Sequence, residues 1–148
     1  MIIETLKKLF ERDLQKVKAE MQAYRHEENI WKVSQEIKNS GGNLCLHLVG
    51  NLNAFIGNGL AESEYVRDRE FEFAGTGVSR QQLVKDVENT MHVVNKGLDT
   101  INENQLSDNF PILIWEYATK MDFTLIHLHS HLNYHLGQLN YHRRLLDK

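Results

Sequence analysis

One cysteine and one proline occur in 148 residues. No apolar run approaches the ~20 residues that a membrane span needs, so no membrane partner is expected. A single thiol, Cys45, excludes an internal disulfide and suits a reducing cytoplasm, the expected location. With Pro111 alone to interrupt them, helices can run long. The opening residues, Met1-Ile2-Ile3-Glu4-Thr5-Leu6-Lys7-Lys8, lack the basic lead and apolar stretch of a secretory signal. An excess of positive charge is also missing: 17 Lys and Arg against 20 Asp and Glu give a net charge of −3. No basic stripe appears, and His142-Arg143-Arg144 is too short to make one, so nucleic acid is not an expected partner. There is no phosphate loop, no Cys-x-x-Cys and no Ser-His-Asp pattern. His131 and His135 are four apart, but Leu132 stands where a zincin motif places its glutamate base.

What the chain has is histidine. Five of its eight imidazoles, at 127, 129, 131, 135 and 142, lie within sixteen residues near the C-terminal end. His127, His131, His135, Gln138 and His142 advance in steps of 4, 4, 3 and 4, one stripe down a helix. Leu128, Leu132, Leu136 and Leu139 run beside it as the core-facing row, with Tyr134 and Tyr141 on the other flank. Imidazoles bordering the interior of a helical protein are what a metal site there requires.

Read in order, the chain supplies three more helices. Ile3, Leu6, Phe10, Leu14, Val17, Met21 and Tyr24 recur in steps of 3 or 4, so residues 2–25 form an amphipathic helix. Trp31 and Ile37 are expected to cover one end. Ser40 is a good N-cap for the next helix, which runs through Gly57. On it Asn43, His47 and Asn51 make a second polar stripe beside Leu44, Leu48, Leu52 and Phe55, whereas Cys45 falls on the opposite side and reads as packing. Residues 60–77 form a long connection, a candidate lid in which Arg67 and Arg69 could receive an anionic substrate. Ser79-Arg80-Gln81-Gln82 matches a capping box and opens a helix carrying Leu83, Val87, Met91, Val94 and Leu98, with His92 off the stripe. Ile112-Leu113-Ile114-Trp115 reads as an extended segment over the core, and the last helix begins near Thr119 or Asp122. Four long helices with two longer connections indicate an all-α four-helix bundle, one domain over residues 1–148.

His47, His131 and His135 together give three imidazoles from two helices, the ligand count of a catalytic zinc site with one open position. Such a position would activate water or take a thiolate, and zinc and nickel both accept this donor set. Asn43, Asn51, His127, Gln138 and Tyr134 are the residues placed to orient ligands or line a pocket.

Asn43-Leu44-Cys45-Leu46-His47-Leu48-Val49-Gly50-Asn51-Leu52, Tyr65-Val66-Arg67-Asp68-Arg69 and His131-Leu132-Asn133-Tyr134-His135-Leu136-Gly137-Gln138 resemble the DinB/YfiT-like superfamily, most narrowly a small bacterial branch. The likeness extends from about Leu9 to Arg144, and His-x-x-x-His-x-Gly-Gln is its most specific part. The resemblance implies an up-down-down-up bundle, a homodimer, and a divalent metal on His47, His131 and His135. It also implies relatives that transfer low-molecular-weight thiols such as bacillithiol or mycothiol, and others that act as metal-dependent hydrolases. The DNA-damage origin of the family's name implies no DNA binding. Two functions follow as expectations: a metal-dependent enzyme acting on a small molecule, with no general base evident among the residues, or a non-catalytic dimeric module that binds a metal or small molecule.

Overall fold

The computed structural model describes residues 1–148 and is all-helical, without strands. The four long helices are α1 (Ile2–Ala23), α2 (Gly41–Leu52), α5 (Arg80–Asp99) and α6 (Met121–Leu146). A π-helical turn at Asn53–Gly57 continues α2 into the single turn α3 (Asn58–Leu60), and α4 (Arg69–Ala74) lies within the long connection. Short 3-10 turns at Glu27–Trp31 and Glu103–Ser107 complete the chain.

The apolar spacing of α1 is satisfied residue by residue, since Ile3, Leu6, Phe10, Leu14, Val17 and Met21 are all buried. The helix stops where Tyr24 turns to φ −59°, ψ 128°. At the start of α2 the Ser40 hydroxyl accepts the Asn43 N–H at 3.0 Å, the expected cap. Ser79 likewise accepts from the Gln82 N–H at 3.1 Å, but the Gln82 side chain donates to Asp86 instead of turning back, so only half of the expected capping box forms. Helix α6 begins at Met121 without a side-chain cap. Residues 112–115 are not extended: the chain bends there, Ile112 and Ile114 pack on the core, and Leu113 faces solvent. One apolar cluster of 25 buried residues joins all four long helices.

Helix α1 packs against α5 and α6, and α2 packs against the same two. Lys7 pairs with Asp99 and Lys18 with Glu88, so α1 and α5 run in opposite directions. Asp13 meets His129 and Glu20 meets Arg143, so α1 and α6 run in the same direction. Asn53 donates to the Thr90 hydroxyl and Thr100 to the Leu60 carbonyl, which sets α2 and α3 alongside α5 in the same sense.

Asp13 is a charged residue on the buried stripe of α1. It is held by Arg12 through two bonds of 2.8 and 3.0 Å, by His129 at 2.8 Å and by Asn133 at 2.8 Å. Burial alone would raise its carboxyl, but these donors outweigh that cost and hold it at about 2.

Candidate metal centre

One turn of α6 separates His131 from His135, which puts both rings on the same face. Helix α2 runs opposite to α6 and brings His47 to that face from across the core. His47 Nε2 lies 3.1 Å from His131 Nε2, and His135 Nε2 lies 3.1 Å from the same atom. One nitrogen from each of the three residues lies within 4.8 Å of the other two.

The protons on these rings are accounted for at their far sides. His47 donates from Nδ1 to the Glu72 carboxylate at 3.0 Å, and His135 donates from Nδ1 to the Gln138 amide oxygen at 2.7 Å. A neutral imidazole protonated on Nδ1 presents a bare lone pair at Nε2. With both rings in that tautomer, two lone pairs face His131 Nε2, and a single N–H on that atom cannot point at both. A cation between the three nitrogens would resolve the conflict. At Zn–N distances of 2.0–2.1 Å, tetrahedral ligands sit about 3.3 Å apart, close to the two 3.1 Å separations at His131 Nε2. His131 Nδ1 is buried without a partner, so His131 is the one ring whose tautomer the chain leaves open.

The electrostatics agree. Burial pushes His131 down to about 4, with His135, His47, His127 and Arg67 adding to the effect. Burial also lowers His135, against an opposing bond from Gln138. Both rings are thus neutral at neutral pH, the form a metal ligand requires.

Glu72 is the site residue that sequence reasoning missed. It arrives from the connection between α3 and α5, 25 positions from His47, and its carboxylate is buried. Arg67 grips it at 2.8 Å through Nε and 2.9 Å through Nη2. Burial raises the Glu72 carboxyl, but the bonds from His47 and Arg67 together bring it below its ordinary value. Gly50 makes the approach possible, since a Cβ there would lie 2.0 Å from Glu72 Oε2. A glycine inside a helix, three residues after a candidate ligand, was the available signal.

The same connection is fastened at several points. Asn43 donates to the carbonyls of Glu72 and Gly75 at 3.1 and 2.9 Å. Asp68 caps α4 by accepting from the Phe71 N–H, and Asn58 both donates to and accepts from the Tyr65 backbone. It is a strap across α2, not an open lid.

The remaining predicted residues take other places. Asn43 secures the strap and touches no ligand nitrogen. Asn51 is buried with its Oδ1 unpartnered. His127 stacks edge-on against Trp115, with ring centres 4.6 Å apart, and lies 6.3 Å from His131 without a hydrogen bond to it. Tyr134 is exposed, its ring edge-on to His135 at 5.2 Å. Gln138 lies against His135, whose Nδ1 is 2.7 Å from its amide oxygen. Arg67 is spent on Glu72 and Arg69 lies exposed over the Phe73 ring, so neither guanidinium meets the triad. Beside Gln138 a cleft of about 430 Å³ opens between residues 36–39 and the C-terminal half of α6, floored by Leu44 and His142.

Fold and site define an all-helical protein in which three neighbouring histidines could hold a metal ion. The chain belongs to the family described as "Protein of unknown function (DUF1572)", which it matches over residues 2–148. It is similar in fold to the crystal structure of a conserved protein from Enterococcus faecalis, with a TM-score of 0.76 and 16% identity, covering 99% of this chain and 97% of that one. None of the curated proteins matches it.

Proposed function

We propose that the chain is a divalent-metal-dependent enzyme of DinB-like type, with zinc or nickel on His47, His131 and His135 and a low-molecular-weight thiol or a hydrolysable small molecule as substrate. The observation that carries this reading is the convergence of three Nε2 atoms, two of them on rings whose Nδ1 atoms bond Glu72 and Gln138 on the far side. When bound, such an ion supplies Lewis acidity that makes a water or thiol nucleophilic at neutral pH. The chain's own residues do the rest. Glu72 fixes the His47 tautomer and adds negative charge behind it, and Arg67 keeps that carboxylate ionised and in place. Gln138 performs the same orienting role for His135 with a neutral amide. The cleft beside Gln138 is of a size that suits a small ligand.

The up-down-down-up order of a DinB-like bundle is supported by the directions of the Lys7–Asp99, Glu20–Arg143 and Asn53–Thr90 contacts. A cytoplasmic location is supported by the lone buried thiol, Cys45. No helix is long and apolar enough to cross a membrane.

One observation favours the alternative, a non-catalytic binding module. The sole carboxylate bonded to the triad is Glu72, and it is engaged by both His47 and Arg67, which leaves no free proton acceptor there. The two readings separate in an activity assay. Protein loaded with Zn²⁺ or Ni²⁺ is tested for conjugation of a low-molecular-weight thiol to a fluorogenic electrophile and for ester hydrolysis. The enzyme reading expects turnover that His131→Ala abolishes. Equal, background rates in both proteins would leave the binding module.

A further inference from the structure

The histidine triad is bordered by aromatic rings on the side away from the core. Toward the interior, α6 is closed by the buried Leu128, Leu132 and Leu136. On the other side, Phe73 of the strap lies over His47 with ring centres 4.9 Å apart and planes at 39°. Tyr134 stands edge-on to His135 at 5.2 Å. His131 leads to a third ring at one remove, since His127 lies 6.3 Å from it and Trp115 packs edge-on to His127 at 4.6 Å. Tyr117 and Phe123 extend that wall, their ring centres 6.3 and 5.9 Å from that of Trp115.

These rings do not belong to the core. Tyr134 and Tyr117 are 66% exposed, Phe123 58% and Phe73 47%. The solvent face of a helix is ordinarily charged or polar, so aromatic surface gathered here needs a reason. The strap's two guanidiniums do not supply a charged alternative. Arg67 is bound to Glu72 through two bonds, and Arg69 lies over the Phe73 ring, 5.7 Å from its centre. A molecule reaching the three Nε2 atoms from solvent therefore meets aromatic faces and edges before it meets a free cation.

The geometry points to an aromatic specificity site at the mouth of the triad: the substrate carries an uncharged aromatic ring held among Phe73, Tyr134 and Trp115 while its reacting group faces the three Nε2 atoms. The inference rests on the metal-dependent reading above and narrows the substrate of that same site. Aromatic pairs prefer edge-to-face or offset contact at centre separations of about 4.5–7 Å, the range in which these rings already meet the imidazoles. Ligand sites combine such apolar walls with a few converging polar groups, here the three nitrogens. An anionic substrate, the role expected of Arg67 and Arg69, finds no guanidinium directed at the triad.

The test uses the full chain loaded with Zn²⁺, its metal content confirmed by elemental analysis, and two probes that share one metal-binding group. Titration calorimetry should show benzohydroxamic acid binding at least about tenfold more tightly than acetohydroxamic acid. Tyr134→Ala and Phe73→Ala each remove an exposed ring, so both should keep the native circular dichroism and zinc content. Each should lower the benzohydroxamate affinity by about three- to tenfold and leave that of acetohydroxamate unchanged. A carboxylate added at the 4-position of benzohydroxamic acid should weaken binding. Equal affinity for the two probes on a zinc-loaded chain, or variants that weaken both alike, overturns the aromatic mouth and leaves the metal-dependent reading standing. Tighter binding of the 4-carboxylate overturns the uncharged ring and returns Arg69 to the site. A chain that takes up no zinc, or holds zinc and binds neither probe, defeats the metal-dependent reading and this inference with it.

Discussion

Replacing Gly50 by alanine should destabilise this protein, the reverse of what the substitution does in most helices. In an open helix interior Gly→Ala stabilises by about 1 kcal/mol. Here the new methyl would stand 2.0 Å from Glu72 Oε2 and 2.5 Å from its Cδ, so the carboxylate must withdraw. Its withdrawal breaks the bond to His47 and the two bonds from Arg67. Separating a buried ion pair costs about 3–5 kcal/mol. The helix gain offsets part of that, leaving a net loss of about 2–4 kcal/mol. The assay is urea unfolding of the metal-free protein, followed by competition titration with a chromophoric chelator. Loss of the group that orients His47 should weaken metal binding by about 10–100-fold. Glu72→Gln keeps the volume and removes the charge, and should lower affinity with a smaller loss of stability. A Gly50→Ala protein more stable than wild type, with unchanged metal affinity, would refute the coupling of Gly50, Glu72 and His47.

Three further outcomes follow from other parts of the molecule. Asp13→Asn should destabilise by about 2–3 kcal/mol at neutral pH, the worth of holding its carboxyl near 2, because the bonds from Arg12, His129 and Asn133 lose their charged acceptor. Asp13 has a folded value near 2 against 3.8 for the free carboxyl, so its ionised form stabilises the fold above about pH 4, and this contribution disappears as the pH falls toward 2. The gap between wild type and Asp13→Asn in unfolding free energy should therefore narrow below pH 4, and a gap independent of pH would contradict the assignment. Tyr24→Phe leaves His142 Nδ1 buried without its 2.6 Å partner and should cost about 1–3 kcal/mol, measured by thermal or urea unfolding. Burial, with Asp86 adding to it, pushes the Cys45 thiol up to about 12, so iodoacetamide at pH 8 should label the protein only once denaturant is added. Stoichiometric labelling of the folded chain would show that the thiol is not enclosed.

Periodicity carried the fold a long way. The buried rows of α1 and α5, the Ser40 and Ser79 caps and the two histidine stripes were legible because each depends on residues within a turn or two of one another. His131 and His135 are fixed relative to each other by helix geometry alone, and His47 could be added because it sits among leucines on an otherwise buried face. Glu72 was not legible. It reaches His47 through a strap whose path depends on Asn43, Asn58 and Asp68, contacts with no sequence period. Asp13 was hidden for a related reason: a carboxylate on an amphipathic helix looks like surface until its partners on α6 are known. The segment 112–115 shows the weakness of reading a short apolar run, since Ile112 and Ile114 needed only to reach the core, which bends accomplish as well as a strand.

The central claim is that three imidazole nitrogens converge to hold one ion, and elemental analysis of untagged protein tests it most directly, beside His131→Ala prepared in the same way. One zinc or nickel per chain in the wild type, lost in the variant while its helicity persists, is the predicted result. A wild-type chain that takes up neither ion after incubation with each, or a variant that binds as well as wild type, would contradict the account.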